Sequence, residues 1–99
     1  GLAGLCAARR FLDLGIQPLV IEAGSYPSHK VCGEFISSSG VAILNKWNIY
    51  PVPVYQARLH TSSCYLSFRF PIPAGSLSHY TLDAQLAHQI VEQGGILLT

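Results

Sequence analysis

The chain has 99 residues, enough for one small domain or a part of a larger one. Apolar residues make up 49% and charged residues 11%, a balance that sets aside a disordered tail and calls for a buried α/β core. The formal charge of +1 leaves no electrostatic footprint for nucleic acid, and the one adjacent basic pair, Arg9-Arg10, reads as the solvated face of a helix.

No Met occurs, so Gly1 reads as a cut end. Leu5, Cys6, Ala8 and Leu12 recur at helical spacing, which predicts a first helix from Leu2 to Leu14 stopped by Gly15. Leu19-Val20-Ile21 is a short continuous apolar run, the pattern of a strand buried on both faces of a parallel sheet, and it ends at Glu22. Ala23 to Ser39, rich in Gly, Ser and Pro, reads as an ordered excursion. A second helix is expected from about Ser38 to Asn48, with Val41, Leu44 and Trp47 inward, a serine as N-cap, and Pro51 and Pro53 ending it. Tyr55 to His60 and Cys64 to Phe70 then alternate as a hairpin turned at Thr61-Ser62-Ser63, with Leu66, Phe68 and Phe70 on one face. Thr81 opens a third helix with Asp83 in its first turn, where a carboxylate favours the helix dipole. Leu82, Leu86 and Ile90 stack one turn apart along it, and Gly94-Gly95 closes it. Ile96 to Thr99 reads as a strand interrupted soon after it starts, so both ends of the chain are expected to continue.

Cys6, Cys32 and Cys64 form an odd set without metal-ligand spacing, which fits reduced thiols in a cytoplasmic compartment. His29, His60 and His88 show no ligand spacing either and read as surface or loop residues, so no metal is expected. No apolar run approaches the length of a membrane span.

The chemistry concentrates near the beginning. Gly1-Leu2-Ala3-Gly4 opens a helix, and Glu22 closes the next strand 22 − 4 = 18 positions after Gly4. In a dinucleotide-binding fold an acid comes about 20 positions after the glycines. Glycines let the backbone approach a pyrophosphate whose charge meets unpaired helix N–H groups, and the acid accepts from ribose hydroxyls. The first glycine of G-x-G-x-x-G and the strand before it would precede Gly1. The plainer reading is that Gly1 and Gly4 only allow close packing and that Glu22 is an ordinary loop carboxylate.

Pro27-Ser28-His29-Lys30-Val31-Cys32-Gly33-Glu34, with Ser37 shortly after it, resembles the Pro-x-x-Lys-x-Cys-Gly-Gly/Glu stretch of the geranylgeranyl reductase-like FAD-dependent oxidoreductases. That branch belongs to the wider superfamily of p-hydroxybenzoate hydroxylase-type flavoproteins. Ser78-His79-Tyr80-Thr81-Leu82-Asp83-Ala84-Gln85-Leu86 is similar to the family's Ser-Arg-x-x-Leu-Asp-x-x-Leu, and Gly94-Gly95 to its helix ending. Residues 50 to 75 match in strand pattern only. The resemblance implies that Gly1, Leu2, Ala3 and Gly4 face the FAD pyrophosphate, that Glu22 with Ala23 faces the adenosine ribose, and that Lys30 lies near the phosphates. It further implies that Val31, Cys32, Gly33 and Glu34 approach the flavin end. Cys32 is read as a packing or cofactor-contact residue ahead of a reactive thiol whose pKa Lys30 lowers. His79 stands where the family usually has Arg, aimed at the phosphate or ribityl region, and a histidine lacks the permanent charge of an arginine.

The expectation is therefore an α/β fragment of a Rossmann-like FAD-binding domain, residues 1 to 99, with a parallel sheet and a small antiparallel hairpin inserted after the second helix. The implied activity is an FAD-dependent oxidoreductase linked to NAD(P)H. It would reduce a polyprenyl or other lipophilic double bond, or act as a monooxygenase, on a small-molecule substrate. It is expected in the cytoplasm, with peripheral membrane association left open. An NAD-dependent dehydrogenase would use the same first turn and Glu22 but calls for a second strand–helix repeat soon afterwards. A non-catalytic flavin-binding module is the third reading, and His79 is its best support.

Overall fold

A computed structural model describes residues 1–32 and 34–99. The elements run α1 (Leu2–Asp13), β1 (Leu19–Ile21), β2 (Phe35–Ile36), α2 (Ser38–Lys46), β3 (Val52–His60), β4 (Tyr65–Ser76), α3 (His79–Glu92) and β5 (Ile96–Leu98). The fold is mixed α/β, with a two-stranded parallel sheet and a three-stranded antiparallel sheet. The chain divides into two compact units: residues 1–32 with 78–99 form the first, and residues 34–77 lie in the second.

In the first unit β1 and β5 pair in parallel, Leu19 with Ile96, Val20 with Leu97 and Ile21 with Leu98. Helices α1 and α3 pack together and cover one face of this pair. The apolar stripe read from the sequence is the core: Leu5 and Ala8 on α1 are buried with Leu82, Leu86, Ala87 and Ile90 on α3. The strand is not buried on both faces, however, because Leu19 and Ile21 are 57% and 76% exposed and their side of the pleat carries no described helix. Arg9 is also not solvated. It is buried, its Nε donates to Gln89 Oε1 at 3.1 Å, and its guanidinium pairs with Asp13, while Arg10 stays exposed. The methylene stem of an arginine packs like an apolar chain when its head finds partners, which is why the doublet split.

The second unit is built on an antiparallel sheet of order β2-β4-β3. The hairpin is longer than its alternation suggested. Pro53 lies inside β3, which as an edge strand does not need every N–H, and Pro71 and Pro73 fall where the β3–β4 register shifts between Val54 and Gln56. Leu44, Trp47, Ile49 and Ala74 are buried here.

The three helices among the described residues end alike. The residue after the C-cap adopts a left-handed conformation at Gly15 (φ 76°), Asn48 (φ 58°) and Gly94 (φ 93°). The next amide reaches back to the third-last helical carbonyl, Ile16 to Phe11, Ile49 to Leu44 and Gly95 to Ile90. Helix α2 therefore stops at Lys46 through Asn48, ahead of the prolines assigned that task. At the front of α2 the Ser37 hydroxyl accepts from Gly40 N at 3.3 Å. Helix α3 starts two residues earlier than expected, because Ser78 caps it by accepting from Thr81 N at 3.2 Å. Asp83 is thus one turn deeper than a dipole-facing carboxylate, and it is fully buried.

Candidate functional site

The residues singled out in the sequence converge in the first unit, where β1 ends and α1 begins. Gly1 is the N-cap of α1 and offers no side-chain acceptor, and the first turn of α1 holds no acid. The amides of Leu2, Ala3 and Gly4 have no intrahelical carbonyl to bond. Gly1, Ala3 and Gly4 are exposed and Leu2 is half-buried. A Cβ at Gly4 would meet nothing within 4 Å, and one at Gly1 only Lys30 Nζ at 3.5 Å, an ordinary contact. Close packing inside the chain therefore does not call for glycine at either position.

Glu22 comes directly after β1 and turns toward this helix start. Its Oε2 accepts from the Gly1 amino group at 2.8 Å and from the Tyr26 hydroxyl at 2.7 Å, and its Oε1 from Gly24 N at 3.2 Å. These donors, the Gly1 ammonium foremost and then Tyr26 and Gly24, hold its pKa down to about 2. The carboxylate is consequently an acceptor at any ordinary pH, with three of its roughly four acceptor positions taken. Burial, and then the bond to Glu22, pushes the Tyr26 phenol up. Ala23, beside Glu22, is exposed.

Lys30 enters from the loop after Pro27. Its Nζ donates to Asp83 Oδ2 at 2.7 Å, which raises its pKa, and stands beside Gly1. The other oxygen of Asp83 faces His79 Nδ1 at 3.1 Å, four residues back on α3. Asp83 is 0% exposed, the side chain of His79 is 18% exposed and that of Lys30 36%. Burial of Cys6 on α1, together with the Asp83 charge, raises that thiol's pKa.

The structure thus brings Gly1, Leu2, Ala3, Gly4, Glu22, Lys30 and His79 to one neighbourhood. Val31 and Cys32 are exposed ends of the same unit, so Cys32 is not a buried packing residue, and the ammonium assigned to activate it is bonded to Asp83. Glu34 lies in the second unit with a left-handed backbone (φ 59°), a conformation that favours glycine. Gly33 lies outside the described residues. His29 stacks on Tyr80, with ring centroids 4.5 Å apart. Among the described residues no three His, Cys, Asp or Glu side chains are grouped to hold a metal ion, and no helix is long and apolar enough to cross a membrane.

Sequence reading missed Asp83 and Tyr26 as members of the cluster. The signal for Asp83 was present: it sits next to the inward Leu82 and stands four residues after His79, so a helix brings it to the core edge on the histidine's face. Tyr26 had no such signal, since nothing in a loop sequence fixes which hydroxyl returns to the strand end.

Comparison with protein-family models, with curated proteins and with solved structures finds no match to this chain.

Proposed function

We propose that the chain is the FAD-binding part of a flavin-dependent oxidoreductase, a piece of a Rossmann-like domain that serves a reductase of polyprenyl or other lipophilic double bonds, or a monooxygenase, fed by NAD(P)H. The observation that supports this most is the meeting of the α1 start with the carboxylate that closes β1, Gly1 N to Glu22 Oε2 at 2.8 Å, with Lys30 Nζ beside the same glycine. Amides without intrahelical partners, a cation and an obligate acceptor together match a diphosphate joined to a ribose.

The residues fit the cofactor. An exposed glycine inside a helix costs about 1 kcal/mol relative to alanine, and approach of a pyrophosphate to the backbone gives a reason to keep Gly4 that packing does not. Gly1 to Gly4 and Lys30 would hold the phosphates, and Glu22 with Ala23 the ribose. By the resemblance, Val31 and Cys32 would approach the flavin end and His79 the phosphate or ribityl region. Ribose hydroxyls bring two donors to Glu22, so binding exchanges one of its present donors. FAD, when bound, carries the redox chemistry between NAD(P)H and substrate. The chain's part is to bind, orient and balance charge.

An NAD-dependent dehydrogenase is disfavoured by the segment after Glu22, a loop and then the antiparallel strand β2, where a second parallel strand–helix repeat would be needed. His79, turned to Asp83 where the resembled pattern has Arg, favours a second reading, a flavin-binding module without turnover. Titration of FAD into the full-length protein that carries this chain separates these readings. The expected result is stoichiometric binding, bleaching by NADPH or NADH, and weakening by about 1.5–3 kcal/mol in Glu22→Ala if charge-assisted hydrogen bonds are lost. Tight flavin that no nicotinamide reduces would mean the module, and bound NAD without flavin the dehydrogenase. Unchanged FAD affinity in Glu22→Ala would remove the site proposed here.

A further inference from the structure

We infer that Asp83 is a positioning residue, its buried carboxylate holding the Lys30 ammonium at the start of α1 so that a phosphate-binding cation is already in place before the ligand arrives. The inference rests on the FAD reading and extends it to a residue that the glycine turn and Glu22 do not include.

Three observations carry it. Asp83 is fully buried on α3 among Leu82, Leu86 and Ala87, where an apolar side chain would serve packing without the cost of desolvating a charge. Both of its oxygens are engaged, Oδ2 by Lys30 Nζ at 2.7 Å and Oδ1 by His79 Nδ1 at 3.1 Å, so neither is left without a polar partner and the ammonium from the loop balances the charge. Lys30 comes from a loop whose next residues, Val31 and Cys32, are exposed, and its sequence separation from Asp83 is 53. An unanchored lysine on such a loop samples many rotamers and loses that freedom when it binds, whereas an anchored one has lost it already. An ammonium has three donors and Asp83 takes one, leaving two for phosphate oxygens.

Position and charge make opposite demands, which gives the test its sign. Were Lys30 to act only as a charge, Asp83 would partly cancel it, and Asp83→Asn would tighten FAD binding. If Asp83 acts by placing Lys30, Asp83→Asn weakens it. FAD affinity of the full-length protein, read by flavin fluorescence, is expected to fall roughly tenfold in Asp83→Asn, the low end of what orienting partners contribute at metal sites. Lys30→Met should fall at least as far, and Asp83→Asn added to Lys30→Met should change affinity no more than about twofold, because the aspartate acts through the lysine. Tighter or unchanged binding in Asp83→Asn, or losses that multiply in the double variant, would overturn the inference while leaving the FAD reading intact, provided Glu22→Ala still weakens FAD. A wild type that binds no FAD would sink both. Should Asp83→Asn fail to fold, nitrogen-15 NMR of the wild-type lysines decides instead. A slowly exchanging Lys30 ammonium is expected, and one averaged with solvent would overturn the inference.

Discussion

The two units spend their polar residues differently. The first holds four of the five carboxylates, and three of them, Asp13, Asp83 and Glu92, lie within 4 Å of a basic side chain. The second has no acid between Phe35 and Leu77. Its hairpin instead sorts side chains by alternation: Ala57, Leu59, Leu66 and Phe68 fall on one side of the pleat, and Gln56, Arg58, His60, Tyr65, Ser67 and Arg69 on the other. Alternation builds a surface, whereas a site with defined distances needs charges paired across elements far apart in sequence. That is why most of the candidate cofactor residues gather in the first unit, although the segment between its halves is nearly half the chain.

The contrast breaks most readily in the core. Leu86, fully buried on α3, should lose about 2–5 kcal/mol as Leu86→Ala in urea unfolding, while Leu66→Ala on the hairpin, 62% exposed, should stay within about 0.5 kcal/mol. Equal losses would mean that the hairpin face, too, is a core. Next come the tight glycines. Gly95→Ala puts a Cβ 2.5 Å from Ile90 Cγ2 and 2.9 Å from the Ile90 carbonyl oxygen, and should cost about 1–3 kcal/mol by thermal melting. Gly1→Ala, which meets only the tip of Lys30, should leave folding stability within about 0.5 kcal/mol yet weaken FAD in the full-length protein at least tenfold, sharpening the distinction between glycines kept for packing and those kept for a ligand.

The smallest effect is the pH dependence. The pKa of Glu22 is lowered from 4.5 to about 2, so its stabilising contribution is complete above about pH 4.5 and fades as the pH falls toward 2. Lys30 is raised above its ordinary 10.5, so its contribution holds below that value and is lost only at higher pH. Melting midpoints of wild type and Glu22→Gln should therefore differ at neutral pH and converge near pH 2. A constant offset down to pH 2 would show that the carboxylate's charge is not what the first unit uses.

Much of the fold was legible because it depends on short-range pattern. The stripe of Leu82, Leu86 and Ile90, the β-branched run before Glu22, and Gly15 and Gly94 past two helix ends all express local periodicity or a backbone requirement. What escaped was set by distant partners. Arg9 looked solvated until Gln89 and Asp13 satisfied its guanidinium, and Asp83 looked like a dipole cap until Ser78 began the helix earlier. Asn48 ended α2 because asparagine tolerates a left-handed backbone, a signal weaker in sequence than the prolines behind it. In the site, Gly1, Gly4 and Glu22 could be read from spacing, and Lys30 and His79 only from resemblance. The carboxylate joining those last two had a signal in its spacing from His79, but its pairing with Lys30, 53 residues away, needed the tertiary structure.

A crystal structure of the full-length protein grown with FAD tests the proposed cofactor site most directly. The expected result is the pyrophosphate against the amides of Leu2, Ala3 and Gly4, a ribose hydroxyl within about 2.6–3.2 Å of a Glu22 oxygen, and Lys30 Nζ bridging Asp83 and a phosphate. A helix start packed against protein, or a Glu22 side chain directed away from the bound nucleotide, would contradict it.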